Sequence, residues 1–256
     1  MTLIEKKIRY YLEIIPISGI ISNWLILFLV YFRLVKRATL KLKTGEKFII
    51  SHFLDALTIK EVFLDRDYQP QNISPKTIID IGGNIGTTSV FYARRFPRSK
   101  ILTLEPSAPT FNLMCKNFKL NNCSNVIPMR AAVSAHNGTI KLFSNPASGL
   151  SSLFDYRSGT HPEIVPAVNL SKIFSKYKIR QCDLMKLDCE GAEYDILFHC
   201  PKVILRQIKN LILEYHEGYT GYTGKDLTGF LTRQGYRVHV KPHPLETNIG
   251  LLYAVR

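Results

Sequence analysis

Between residues 76 and 256 the chain alternates short runs of consecutive apolar residues with stretches in which apolar positions recur every three or four. The runs at 78–81, 101–104, 126–133, 183–187 and 211–213 predict strands, and the periodic stretches predict helices over 87–95, 111–120, 192–198 and 226–234. Unbroken apolar runs mark strands covered on both faces, and alternation with helices marks parallel strands joined by crossovers. The rhythm changes at the end. Strands over 236–240 and 251–255 are separated by a Pro/His/Asn/Gly stretch too short for a crossover helix, which predicts an antiparallel pair. The expected class is α/β: a mostly parallel sheet with an antiparallel last strand and helices on both faces.

The first 75 residues follow another pattern. Leu40-Lys41-Leu42-Lys43 alternates apolar and basic, Thr44-Gly45-Glu46 offers a turn, and Lys47-Phe48-Ile49-Ile50 returns as a second strand, a hairpin. Asp55 is expected to cap a helix that puts Ile59, Val62, Phe63 and Leu64 on one face. Residues 69–75, polar with two prolines, read as a linker. Residues 14–32 carry no charge and are flanked by Lys6, Lys7 and Arg9 before and Arg33, Lys36 and Arg37 after. Pro16, Ser18, Gly19, Ser22 and Asn23 interrupt the first half, leaving 24–32, shorter than a bilayer span requires. A helix that caps the core or lies at a membrane interface is expected there, with peripheral membrane contact through residues 6–37. No small-residue cleavage site follows the apolar run, which argues against a signal peptide. The chain therefore divides into a helical segment (1–39), a hairpin and helix appendage (40–75) and a main domain (76–256).

The composition, 46% hydrophobic and 21% charged over 256 residues, supports a sizeable core without metals or disulfides and excludes intrinsic disorder. Lysine and arginine number 34 against 20 acids, a net charge of +14 that favours anionic partners: nucleic acid, acidic substrates or anionic lipid. Cys115, Cys123, Cys182, Cys189 and Cys200 are odd in number and form no C-x-x-C pair, which points to a reducing, cytoplasmic compartment.

In such a sheet ligands bind beyond the carboxyl ends of the strands. Asp80-Ile81-Gly82-Gly83-Asn84-Ile85-Gly86 closes the first strand and opens a helix, with Asn84 and Thr87 where a G-x-G-x-x-G fingerprint needs glycine. A pyrophosphate cradle is thereby disfavoured. The turn instead offers a carboxylate and an amide, suited to a ligand with a cationic amino group. Glu105-Pro106 ends the second strand, where a carboxylate accepts both hydroxyls of a ribose.

These residues, with Lys186-Leu187-Asp188-Cys189-Glu190-Gly191-Ala192-Glu193 and Leu213-Glu214-Tyr215-His216, resemble the FkbM family of S-adenosylmethionine-dependent methyltransferases from about residue 40 onward. The resemblance implies a Rossmann-like fold of seven strands and O-methylation of a hydroxyl on a glycan, lipid-linked sugar or secondary metabolite. S-adenosylmethionine would lie on Asp80, Gly82, Gly83, Asn84, Gly86, Glu105, Pro106, Ala132 and Asp188. No metal ligands are assigned.

Methyl transfer requires that an acceptor oxygen be held in line and its proton removed. Asp188, Glu190, Glu193, Glu214 and His216 follow two neighbouring strands and are expected to converge on one rim. His216 is the expected base, because imidazole titrates near neutrality, with Glu214 two residues earlier orienting its ring. Glu190, Asp188 and Glu214 complete the catalytic candidates. Glu190 and Glu193 also sit where a helix dipole favours acids without any catalytic duty. Tyr215, Tyr219 and Tyr222 among Gly218, Gly221 and Gly224 suggest a mobile aromatic loop able to stack on a sugar. His239 and His243 are separated by Pro242 in a strand pattern, which disfavours a metal pair. Two other readings exist: an RNA methyltransferase, weakened by scattered rather than aromatic-interleaved basic residues, and a non-catalytic membrane-surface module, weakened by the intact glycine turn and Glu105.

Overall fold

The computed structural model describes residues 14–144, 151–152, 162–243 and 246–256. Two short helices open it, α1 (Ile14–Ile20) and α2 (Ile26–Tyr31), followed by the hairpin β1 (Ala38–Lys41) and β2 (Lys47–Ile50) and by α3 (Leu54–Phe63). The main domain then runs β3 (Thr77–Ile81), α4 (Thr87–Arg95), β4 (Lys100–Leu104), α5 (Ala108–Leu120), β5 (Val126–Met129), β6 (Ala132–Val133), β7 (Gly138–Ser144), β8 (Ser151–Ser152), β9 (Glu163–Val168) and α6 (Leu170–Lys176). It closes with β10 (Leu184–Leu187), α7 (Glu193–Phe198), α8 (Lys202–Arg206), β11 (Asn210–His216), α9 (Gly224–Arg233), β12 (Arg237–Pro242) and β13 (Ile249–Val255). The seven-stranded sheet has the order β12-β13-β11-β10-β3-β4-β5. Its strands from β11 to β5 are parallel, and β13 runs antiparallel between β12 and β11.

Strand alternation divides the sheet between two cores. Ile78, Ile101, Leu184 and Ile212 face one layer, and Ile79, Leu102, Met185 and Leu211 face the other. Both sets are buried, which is why these strands read as unbroken apolar runs. The first core also takes in Ile17, Ile21, Leu40, Phe48 and Ile59 together with Val90, Leu113 and Met114, so the hairpin and first helices share apolar packing with α4 and α5. The hairpin is tied down by α5. Asn117 accepts a hydrogen bond from the Ile49 amide at 2.7 Å and donates to the Ile49 carbonyl at 3.1 Å. Asn121 treats the Lys47 backbone in the same way at 2.9 and 2.7 Å. Four polar bonds from one helix face thus satisfy backbone groups that would otherwise be exposed on a strand edge.

Several expectations are corrected. The run 126–133 is two strands, because β5 ends at Met129 and β6 pairs with β9 in a separate four-stranded sheet of order β6-β9-β7-β8. Pro128 is tolerated because β5 is the edge of the large sheet. Asp55 is not the residue at the α3 N-cap, which is Phe53. It lies inside the first turn and its Oδ2 accepts from the Ser51 and His52 amides at 2.8 and 2.9 Å, performing the same service from one turn later. β11 continues to His216, so that residue ends the strand rather than following it. Lys6, Lys7 and Arg9 lie outside the described residues. Among the described residues no helix is long and apolar enough to cross a membrane.

Candidate active site

The glycine turn after β3 is forced by contact. Gly82 has φ +77°, and a Cβ there would come within 1.7 Å of the Asp188 carbonyl oxygen; Gly86 has φ +90°, with Phe118 2.6 Å from where a Cβ would stand. Gly82 and Gly83 both donate to the Leu104 carbonyl, at 3.1 and 2.8 Å, which draws the turn against the end of β4. Asn84, itself in the left-handed region at φ +47°, then presents its amide to Glu105 Oε2 at 3.0 Å. Glu105 Oε1 accepts from the Ser107 amide at 2.9 Å. The carboxyl is 6% exposed, and burial pushes its pKa up to about 7 against the opposing effect of the Ser107 and Asn84 amides. Each oxygen carries one amide bond and retains a second acceptor position. A vicinal diol with two O–H donors matches that pair, so the residues fit the ribose of a nucleoside cofactor.

Asp80 is fully buried and does not open onto the rim. Its Oδ2 accepts from Ser89 Oγ at 2.6 Å and its Oδ1 lies 3.4 Å from Lys186 Nζ. Lys186, on β10, donates to the Gly82 carbonyl at 2.7 Å, lies 3.5 Å from Asp188 Oδ2, and stands over the Tyr68 ring at 5.3 Å. Burial works against its charge, but Asp188 and Asp80 more than offset it and hold the ammonium above its ordinary pKa. Lys186 therefore ties the glycine turn to both acids. Pro106 lies between β4 and α5. Ala132, in β6, is buried with Leu142 and Val165 in the core of the small sheet.

The four catalytic candidates come together at the ends of β10 and β11. His216 is 3% exposed; its Nε2 lies 3.4 Å from Glu214 Oε1 and 3.7 Å from Glu190 Oε2, and its Nδ1 lies 3.4 Å from Glu193 Oε1. Glu214 thus faces the outer nitrogen of the ring, and Glu193 faces the inner one. Burial alone would lower the His216 pKa, but Glu193, Glu214 and Glu190 raise it well above the usual imidazole value. The expectation of a ring titrating near neutrality assumed an open rim; the ring is instead enclosed by three carboxylates. Glu190, at φ +52°, has a carboxyl raised to about 7, by burial first, with His216 opposing and Asp188 and Glu214 adding to the rise. Glu193 is fully buried and accepts from the Cys189 and Gly191 amides at 2.7 and 3.0 Å, fixing the turn that carries Glu190.

Tyr68 was not anticipated. It lies on the segment between α3 and β3, buried, and its hydroxyl is 2.8 Å from Glu214 Oε2 and 3.2 Å from Asp188 Oδ2. Its carbonyl accepts from Tyr92 Oη at 2.7 Å. The neighbouring Asp67 holds Lys241 at 2.6 Å and accepts, through its carbonyl, from Tyr253 at 2.9 Å. Glu61, on α3, faces the same acids, and burial followed by Glu214 and Asp188 lifts its carboxyl well above the usual range. Asp188, Glu214 and His216 each offer a donor atom within 4.8 Å of the others, a spacing that a divalent cation can bridge. The tyrosines pack on glycines: Tyr215 on Gly224 and Gly250, Tyr219 on Gly191. Tyr222 lies against Tyr194 and Phe198. His243 Nδ1 accepts from the Glu246 amide at 3.0 Å.

The methyltransferase FkbM domain model matches residues 80–238, more than half of the chain. Methyltransferase 1 of Beauveria bassiana (strain ARSEF 2860) is 27% identical over 204 residues, 71% of this chain and 81% of its own length. Methyltransferase sdnD of Sordaria araneosa is 28% identical over 190 residues, 62% of this chain and 73% of its own. The crystal structure of methyltransferase FkbM from Methylobacillus flagellatus KT superposes with a TM-score of 0.54 at 14% identity, covering 77% of this chain and 47% of that one, a likeness of fold. With a glycine turn, a buried carboxylate at the end of β4 and the strand order already in hand, the chain belongs to the FkbM family of methyltransferases, and its cofactor is S-adenosylmethionine.

Proposed function

We propose that this methyltransferase acts on a hydroxyl of a glycan, a lipid-linked sugar or a secondary metabolite. The observation that supports this most is the convergence of Asp188, Glu190 and Glu214 around His216, directly beside the glycine turn. Carboxylates accept hydrogen bonds and repel phosphates, so the rim suits a hydroxyl-rich acceptor better than a nucleic acid.

Bound S-adenosylmethionine supplies a methyl group already activated on a sulfonium. Glu105 accepts its ribose hydroxyls and the turn from Gly82 to Gly86 gives the backbone its close approach. Glu190 takes the acceptor proton, since a carboxyl near pKa 7 is matched to neutral pH, whereas an imidazole held positive has no free lone pair to accept one. His216 acts as the fixed cation that keeps Glu190 and Glu214 apart yet close, and Asp188 and Glu214 receive hydrogen bonds from neighbouring acceptor hydroxyls.

The test is transfer from labelled methyl donor by the purified chain to fractionated glycan, lipid, metabolite and RNA pools, followed by identification of the methylated atom. Glu190→Gln is expected to lower turnover about a hundred- to ten-thousand-fold with donor affinity preserved. Transfer to nitrogen or carbon, or to RNA alone, overturns the acceptor assignment. A loss of less than about ten-fold removes Glu190 from the role of base.

A further inference from the structure

We propose that the exposed face of residues 25–34 docks on an anionic lipid bilayer and lies in its interface without crossing it. The surface is independent of the methyl-transfer chemistry. Helix α2 is apolar all round, but only one side of it is covered. Leu27 and Val30 are buried in the core, while Leu25, Phe28, Leu29 and Phe32 are exposed at the i, i+3, i+4, i+7 spacing of a single helical stripe. Leu25 and Phe32 are 64% exposed and Leu34 is 70% exposed, with Tyr31 on the flank. A helix needs one apolar face to fold against its domain, so a second apolar stripe, contiguous and facing outward, has another occupant.

The backbone at the end of α2 adds a second observation. Arg33 stands in the left-handed region at φ +56°, where glycine is the usual residue. The Arg33 amide donates to the Val30 carbonyl and the Leu34 amide to the Leu29 carbonyl at 2.8 Å, closing the helix and leaving a cation between two exposed apolar side chains. From residue 14 to residue 45 the sequence has no acid and five cations: Arg33, Lys36, Arg37, Lys41 and Lys43. All five are exposed. Aromatic and aliphatic side chains rimmed by cations, with no acid among them, complement the acyl boundary and the phosphate headgroups of an anionic leaflet.

The same charge argues against the other occupants. A second copy of the chain seated on this face would bring two such cationic rims together. Among the described residues no helix is long enough to span, since seven and six residues at about 1.5 Å each reach only about a third of the roughly 30 Å hydrocarbon core.

The experiment is flotation of the purified full chain with vesicles of phosphatidylcholine alone and of phosphatidylcholine mixed with phosphatidylglycerol, at low and high salt. Binding is expected on the mixed vesicles only, with release by salt. Phe28→Ser combined with Phe32→Ser should abolish it, and Lys36→Ala combined with Arg37→Ala should weaken it roughly 30-fold, from about one kcal/mol per cation at such a surface. Equal binding to both vesicles, binding that salt does not release, or no binding to either overturns the proposal. So does a concentration-dependent doubling of mass without lipid that the serine pair abolishes, which would assign the face to a second copy. The wild-type salt and lipid dependence decides the matter even if the serine variant does not fold.

Discussion

Glu105 is expected to give cofactor binding a pH dependence that can be measured without knowing the acceptor. Its carboxyl has a pKa of about 7 because burial outweighs the two amides it accepts. Only the ionised form offers an acceptor position on each oxygen to a ribose diol, so at acid pH the proton must leave before the cofactor engages both. Affinity is therefore expected to be level above about pH 7 and to weaken by up to ten-fold per unit below it, at about 1.4 kcal/mol per unit. The assay is isothermal titration calorimetry with S-adenosylhomocysteine, repeated in buffers of different ionisation enthalpy to detect the released proton. Glu105→Gln supplies the control. Its single carbonyl oxygen cannot serve both the Asn84 and Ser107 amides, so one buried N–H loses its partner, at about 1–3 kcal/mol of stability. Affinity should fall ten-fold or more and the pH step should vanish. A wild-type affinity that stays flat through this range, or a step that survives in Glu105→Gln, refutes the assignment. For the unliganded chain the sign is opposite. With a folded pKa above the unfolded value, Glu105 contributes stability that is full below about pH 4.5 and lost as the pH rises through about 7.

Gly82→Ala should destabilise the fold by at least about 3 kcal/mol in urea unfolding, because its Cβ meets the Asp188 carbonyl and its φ is positive; an unchanged midpoint would show that the turn is not held as described. Tyr68→Phe removes the hydroxyl between Glu214 and Asp188 and should cost about 1.5–3 kcal/mol, read by the same method, with a loss below 0.5 kcal/mol counting against a shared hydrogen bond. Glu193→Gln should lower the titration midpoint of His216, followed by NMR of its ring carbons, while leaving other histidines unmoved. The raised His216 pKa also means that its contribution to stability is full below about pH 6.5 and lost as the pH rises through the folded value, so the Gln variant should flatten that slope.

The strands that place the site were legible because they are covered on both faces. Ile78-Ile79-Asp80-Ile81 and Leu184–Leu187 have nowhere to expose a polar residue except where a partner waits, and both polar members, Asp80 and Lys186, meet each other. The small sheet had no such signature. β9 alternates exposed and buried positions over six residues, and the two outer strands of its sheet, β6 and β8, are two residues each, too short for periodicity to register. The acidic rim was readable as a group, because motif spacing puts Asp188 and Glu190 after one strand and Glu214 and His216 at the end of its neighbour. The role of each was not, because it depends on which carboxylate faces which ring nitrogen, and sequence spacing does not determine that. Asp80 shows the same limit. A carboxylate at the end of a strand suggests a ligand, and only the packing reveals that Ser89 and Lys186 are its partners within the fold.

Tyr68 carries the argument furthest, since nothing local distinguishes it, one residue ahead of the polar stretch that reads as a linker. Its contact with Glu214 crosses 146 residues of sequence. A hydroxyl donated from outside the strand-and-helix series bridges two acids from adjacent strands, and Lys186 over the same ring adds a positive charge beside them. The segment that delivers the hydroxyl is anchored at both neighbours, by Tyr92 on the Tyr68 carbonyl and by Tyr253 and Lys241 on Asp67. Those anchors come from α4, β13 and β12, elements at opposite ends of the chain's main domain. The residues just ahead of the expected linker therefore do more than lead into the main domain: their anchored course sets where the acids of the rim stand, and with them the charge that an acceptor hydroxyl would meet.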